Sequence, residues 1–128
     1  MEWHFNSDAP IYAQLVEQLT LRIVTSVYPP GQRIPSVREL AMEAGVNPNT
    51  MQRALGELER LGLMYSQRTS GRFVTEDTAM IETAKQDLAS RRITEFLRAM
   101  EDLGFAPAEI PELIQAAQKE ETQHDTNS

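Results

Sequence analysis

The chain predicts a mainly α fold with one small β-hairpin: a winged helix-turn-helix followed by a short two-helix C-terminal dimerisation module. Three observations carry this. Two short amphipathic segments are joined by only Gly45-Val46-Asn47. After Gly62 the apolar period changes from helical to alternating. Beyond Asp77 the chain becomes acidic, with one long helical pattern that carries only a brief apolar seam. The expected boundaries are a winged domain over 1–75, a helical module over 76–118 and a disordered polar tail over 119–128.

The elements follow in order. Met1–Ser7 alternates Trp3 and Phe5 and is expected to pack as an extended arm. Asp8 is positioned to cap a helix with Pro10 in its first turn, and Ile11, Leu15, Leu19, Ile23 and Val27 keep a four-residue spacing, which predicts a buried stripe. Tyr28-Pro29-Pro30-Gly31 stops that helix. Ser36-Val37-Arg38-Glu39 is a capping box, and Val37, Leu40 and Ala41 then mark the inner face of a second helix. Gly45 ends it. Asn47 caps a third helix, with Pro48 in its first turn, where no backbone N–H is needed.

That third helix, about Pro48 to Leu61, has two faces. Met51, Ala54, Leu55, Leu58 and Leu61 share one side and predict core. Asn49, Gln52, Arg53, Gly56 and Arg60 fall on the other. A helix entering a major groove needs this division, with amides and hydroxyls near base edges and positive charge near phosphates. Gly56 either permits close backbone approach or is a tolerated surface glycine. Leu63–Ser66 and Arg72–Thr75 then read as strands around the turn Gln67-Arg68-Thr69-Ser70-Gly71. A small-residue tip flanked by Arg68 and Arg72 suits a wing on a sugar-phosphate backbone or in a minor groove; taken alone it reads better as a solvated hairpin, and the preceding helices turn the reading toward DNA.

The net charge of −7 argues against nucleic acid as a partner, but its distribution answers the objection. Arg33 to Arg72 holds six arginines against four acids; from Asp77 onward eleven acids face five bases. The acidity belongs to the C-terminal part. With no cysteine there is no disulfide framework or thiolate chemistry, which fits a reducing, cytoplasmic setting. No apolar run of about 18 residues suggests a membrane span, and the N-terminus lacks a signal-peptide pattern.

Thr78 to Leu103 reads as one long helix. Its later half carries Ala89, Ile93, Phe96, Met100 and Leu103 at 4-3-4-3 spacing, a partner-helix seam of about two heptads. Gly104 ends it, and a shorter helix over Glu112 to Gln118 is expected with Pro111 in its first turn. Two helices enclose no sizeable ligand cavity, so burial against a second copy is the expectation, with folding back onto the chain's own winged domain as the alternative. No catalytic or metal-ligating constellation is present: His4 and His124 sit at opposite termini, and no Gly-rich phosphate loop occurs. Glu57/Glu59 and Glu101/Asp102 diverge around their helix axes and read as solvated faces. No cofactor is expected; a small-molecule effector stays open, with no residue pattern to support one.

The winged portion resembles GntR-type bacterial transcription regulators. The echoes are Asp8-Ala9-Pro10-Ile11-Tyr12, the run Pro30 to Ala41, and Val46-Asn47-Pro48-Asn49-Thr50. They continue with Ala54-Leu55, Leu58-Glu59, Gly62-Leu63 and Gly71-Arg72-Phe73-Val74, so the likeness covers about residues 8–75. The short tail looks like the YtrA subfamily, whose members dimerise through a two-helix appendage. The resemblance implies a homodimeric repressor on a two-fold-related duplex DNA operator. It also implies DNA contact by Arg38, by Asn49 and Thr50, and by the wing-tip Gly71. Pro48 and Gln52 stand where arginine is frequent. Taken with the bottom-up reading, the candidate DNA-binding residues are Ser36, Arg38, Asn49, Thr50, Gln52, Arg53, Arg68, Thr69, Ser70, Gly71 and Arg72. The rival reading is a winged-helix protein-interaction module that does not bind DNA.

Overall fold

The computed structural model describes residues 1–127, and side chains as far as Gln123. Contacts divide the chain into two units, 1–87 and 88 onward. The order is α1 (Ile11–Val24), α2 (Val37–Ala44), α3 (Pro48–Arg60), β1 (Met64–Gln67), β2 (Gly71–Val74), α4 (Thr78–Asp102) and α5 (Ile110–Asn127), with a 3-10 turn at Pro107–Glu109 before α5.

The first unit is built around α3, whose Met51, Ala54, Leu55 and Leu58 are fully buried among Leu15, Leu19 and Ile23 of α1 and Leu40 and Ala41 of α2. Each buried leucine, isoleucine or methionine among them contributes roughly 1.5–3 kcal/mol through burial. Leu61, expected on this face, is instead the C-cap residue and is exposed, because the helix ends at Arg60. The α1 stripe is also shorter than its spacing suggested. Leu15, Leu19 and Ile23 are buried, but Ile11 and Val27 are exposed. The helix closes at Thr25, and Ser26 turns left-handed at φ 62°, so Val27 is outside it.

Nor does Asp8 cap α1. Pro10 occupies the cap position without a side-chain bond, and the Asp8 N–H donates to Asn6 Oδ1 at 3.0 Å. The N-terminal arm is held by a ladder of side chains one helical turn apart. Gln14 accepts from the Asn6 N–H at 3.0 Å and donates to the Asn6 carbonyl at 2.9 Å. Gln18 pairs with both backbone groups of His4. Arg22 donates to the Met1 carbonyl at 3.1 Å and lies 3.5 Å from the centroid of Trp3. Arg22 is itself buried. Burial pushes its pKa down, while the nearby Tyr28 works against that shift.

The caps of α2 and α3 form as their residues dictate. The Ser36 hydroxyl accepts from the Glu39 N–H at 3.2 Å, Gly45 takes the left-handed conformation at φ 69°, and Asn47 accepts from the Asn49 N–H at 2.8 Å. The hairpin is antiparallel, with Met64 opposite Val74 and Gln67 opposite Gly71 around a three-residue tip. A third extended segment joins β2. Ile34 N–H donates to the Arg72 carbonyl at 3.0 Å and Val74 N–H to the Gln32 carbonyl at 2.9 Å, with Arg33 bridged to Phe73.

The boundary expected at 75/76 falls later. Asp77 caps α4 through the Met80 N–H at 3.1 Å, and Ile81 and Ala84 pack against the first unit's core. The opening turns of α4 therefore belong to the winged unit. In the second unit, α4 closes as the composition suggested. Gly104 has φ 96°, and the Phe105 N–H reaches back to the Met100 carbonyl at 3.1 Å. Pro107 and Pro111 are both accommodated because each lies in the first turn of its own segment: Pro107 begins the 3-10 turn and Pro111 is the second residue of α5. Residues 119–127, expected as a disordered tail, continue α5. Lys119, Glu120, Glu121 and Gln123 are good helix formers and no Gly or Pro interrupts them. Residue 128 and the His124 side chain lie outside the described residues.

The arm supplies a direct test, because Trp3 is the only tryptophan. Arg22→Leu removes the stacked cation and the bond to Met1, and is expected to cost about 1–3 kcal/mol. Trp3 emission should shift to the red as the arm leaves the surface. A fluorescence spectrum identical to that of the parent protein would contradict the ladder.

Candidate nucleic-acid interface

The buried stripe of α3 turns its opposite face outward. Asn49, Gln52 and Arg53 are exposed there and Thr50 is half-buried. Apart from its chain neighbours and the backbone of its own helix, no atom lies within 4 Å of where a Gly56 side chain would begin, so this flank of the helix is open. Arg38 is exposed on α2 one residue past Val37, its first position. Arg68, Thr69 and Ser70 form the exposed hairpin tip, with Gly71 opening β2.

Electrostatics sort the arginines into two groups. Arg60 donates from Nε to Glu57 at 2.8 Å, which holds the Glu57 carboxyl below its usual range and raises Arg60. Its charge is therefore largely answered within one turn of helix. Arg72 is likewise engaged: its Nε donates to Glu59 at 2.8 Å, and its side chain is only 16% exposed. Among the described residues, Arg33, Arg38, Arg53 and Arg68 have no acidic partner.

Two of the residues singled out in the sequence therefore have internal work. Ser36 accepts from the Glu39 N–H and donates its hydroxyl hydrogen to the Glu39 carboxylate at 3.0 Å. Arg72 is a strut between the wing and α3. Glu59 also receives a hydrogen bond from Ser66 on β1, so one carboxylate binds both strands. Burial alone would raise the Glu59 pKa, but the bonds from Arg72 and Ser66 outweigh it and leave the group below its ordinary value.

Two residues absent from the sequence-derived set enter through tertiary structure. Tyr12 of α1 lies under Arg53, with the guanidinium carbon 4.6 Å from the ring centroid. It restrains an arginine that would otherwise sample many rotamers. Arg33 reaches the root of the wing, because its segment pairs with β2. Nothing in local periodicity signals either contact; both join segments more than 35 residues apart in sequence.

A winged helix-turn-helix with an amide-bearing outer helix face and unpaired arginines defines a duplex-DNA reader. The family described as "Bacterial regulatory proteins, gntR family" matches residues 11–74. The HTH-type transcriptional regulator YhcF of Bacillus subtilis is 38% identical over 114 residues, covering 89% of this chain and 94% of that protein. The HTH-type transcriptional repressor YtrA of the same organism is 38% identical over 78 residues, 59% of this chain and 60% of YtrA. A GntR family transcriptional regulator from Listeria monocytogenes superposes with a TM-score of 0.79 at 38% identity, over 88% of this chain and 98% of that one. The AraR DNA-binding domain in complex with operator ORX1 superposes with a TM-score of 0.54 at 34% identity, over 59% and 96% of the two chains. The chain belongs to the GntR family, and it is a DNA-binding transcriptional regulator. These relatives are regulators rather than enzymes. Among the described residues no helix is long and apolar enough to cross a membrane.

The Glu59 clamp predicts an acid-sensitive wing. A depressed carboxylate contributes stability that is fully present above the ordinary glutamate value of about 4.3. That contribution is lost as pH falls through the lower folded value. Amide resonances of Ser66 and Arg72 should therefore move below pH ~4 and stay flat above it. In Glu59→Gln this acid transition should be absent; its persistence there would assign the effect to another group.

Proposed function

We propose that the regulator reads a two-fold-related operator as a cytoplasmic homodimer and represses transcription by occupying it. The observation that carries the DNA-facing half is the division of arginines. Arg38, Arg53 and Arg68 keep their charge available around Asn49, Thr50 and Gln52, whereas Arg60 and Arg72 pair with acids. In this reading the first group contacts phosphates and the amides of Asn49 and Gln52 meet base edges. Thr69, Ser70 and Gly71 bring the wing's small tip close to the backbone, and Ser36 contributes chiefly by fixing the start of α2.

The dimeric half rests on the later part of α4. Ile93 is 57% exposed, Phe96 39% and Leu103 69%, while Ala89 is exposed and Met100 half-buried. Leu97 on α4 and Leu113 and Ile114 on α5 are exposed as well. So much apolar surface in a unit of this size supports burial against a second copy. Two linked reading heads raise the effective concentration of the second at the operator by orders of magnitude. A selection from random duplexes should return sites with two-fold symmetry; enrichment of asymmetric single sites would overturn the dimeric reading.

Two substitutions separate positioning from base reading. Arg38→Ala should weaken binding by a similar factor on all duplexes, whereas Gln52→Ala or Asn49→Ala should relax base preference by about 1–3 kcal/mol. Gel shifts on matched and mismatched operators distinguish them. Unaltered discrimination in both amide variants would remove α3 from base recognition.

The seam has its own test. Phe96→Ala should cost about 3–5 kcal/mol of dimer stability if the ring becomes fully buried at the interface. Sedimentation should then show monomers at concentrations where the parent is dimeric, with the helical signal of the winged unit retained. An equally stable dimer would exclude this seam.

A further inference from the structure

The wing's root carries a cation that its sequence position does not announce. Gln32 to Ile34 lies beside β2, with Arg33 opposite Phe73. Side chains alternate along such a segment, and Ile34 is buried, so Arg33 points to the other, exposed side. Its side chain then runs to Gly71. A side-chain carbon built on Gly71 would sit 2.9 Å from Arg33 Nε, 3.4 Å from Nη2 and 3.5 Å from Cζ. The guanidinium therefore lies against bare backbone. Gly71 also has φ 102°, a conformation that other residues rarely adopt. Glycine thus suits the turn of the chain here, and a β-carbon in its place would make the arginine shift.

Two further facts give this arrangement a use. Among the described residues Arg33 has no acidic partner. Of the two wing arginines suggested by sequence, Arg68 and Arg72, the second is instead committed to Glu59. An exposed guanidinium with no acid to answer it, lying beside bare backbone, keeps its charge and its planar set of donors for an anion.

We infer that Arg33 is a phosphate ligand at the root of the wing, its planar guanidinium binding one phosphodiester of duplex DNA beside the hairpin tip, with Gly71 leaving room for it. Arg72 holds the hairpin to α3 and leaves the backbone contact to Arg33 and to Arg68 at the tip. This assignment rests on the DNA-reading function proposed above and adds a residue to it.

The test is the salt dependence of binding by the full chain, on a duplex selected from a random pool and on an unrelated one. Each neutralised phosphate contributes about 0.9 to the slope of log K against log salt. R33Q should flatten the slope by about that amount on both duplexes, since a phosphate contact is blind to sequence. R33K keeps the charge and should retain the parental slope. G71A pushes the guanidinium aside and should lose part of it. Unfolding midpoints of R33Q and R33K should match each other, because the residue is exposed, so a difference in slope between them reports charge alone. A parent protein that binds duplex DNA while R33Q and R33K share its slope would overturn the Arg33 assignment and leave the proposed function intact. A parent that shows no salt-dependent binding to either duplex would overturn both.

Discussion

One buried helix face sets the geometry of everything else in the winged unit. Met51, Ala54, Leu55 and Leu58 of α3 are closed off from solvent by α1 and α2. Because these residues repeat at helical spacing, burying them fixes the rotation of α3 about its axis. Asn49, Gln52 and Arg53 then have only one direction to face. A helix that rolled by one residue would bury an amide or an arginine without partners, at a cost of several kcal/mol. The outward face is thus specified by the inward one.

The short connection from α2 to α3 reinforces this. Gly45 reverses the chain in a left-handed conformation, and Asn47 satisfies an orphan N–H at the start of α3. Neither residue touches the core in depth, yet together they set the angle between the helices. The wing is tied to the same frame by Glu59, which projects from α3 to receive hydrogen bonds from Ser66 and Arg72. One carboxylate, held ionised by those donors, couples the position of the hairpin to that of the outer helix face. The arrangement uses acidic residues inside a basic segment as internal struts, and it leaves the remaining arginines unneutralised.

The second unit is governed by what it leaves exposed. Leu88 and Ile110 are buried, but most apolar side chains between Ile93 and Ile114 are not. Helices of this length cannot satisfy their own apolar stripes. The acidic residues interleaved with that stripe keep α4 and α5 negative, which is the opposite of the balance between Arg33 and Arg72. Charge is therefore partitioned along the chain, with a net acidic protein retaining a basic segment.

Local chemistry determined a large part of this protein from sequence alone. Ser36, Gly45, Asn47, Pro48 and Gly104 act within a few residues of themselves, so their caps and turns were legible without tertiary information. The inner faces of α2 and α3 were equally legible, because helical period is a local property. The errors lie where an element ends or a contact is distant. Val27 and Leu61 carry the right spacing but fall beyond their helices, since a periodic pattern does not show where the backbone stops following it. Asp8 has the side chain for a cap, but the Gln14 ladder gives the arm another path. The residues 119–127 have helix-forming composition that polarity alone disguised.

The candidate site divides in the same way. Asn49, Gln52 and Arg53 could be placed from helix phase, and Arg68 from the hairpin turn. The fate of each arginine could not. Whether Arg72 meets Glu59, whether Arg53 rests on Tyr12, and whether Arg33 reaches Gly71 all depend on segments that approach only after the core has closed. Sequence fixes which charges the chain possesses and roughly which face carries them. Tertiary structure decides which are cancelled, because ion pairing falls off over a few ångströms and those distances are set by packing between remote elements.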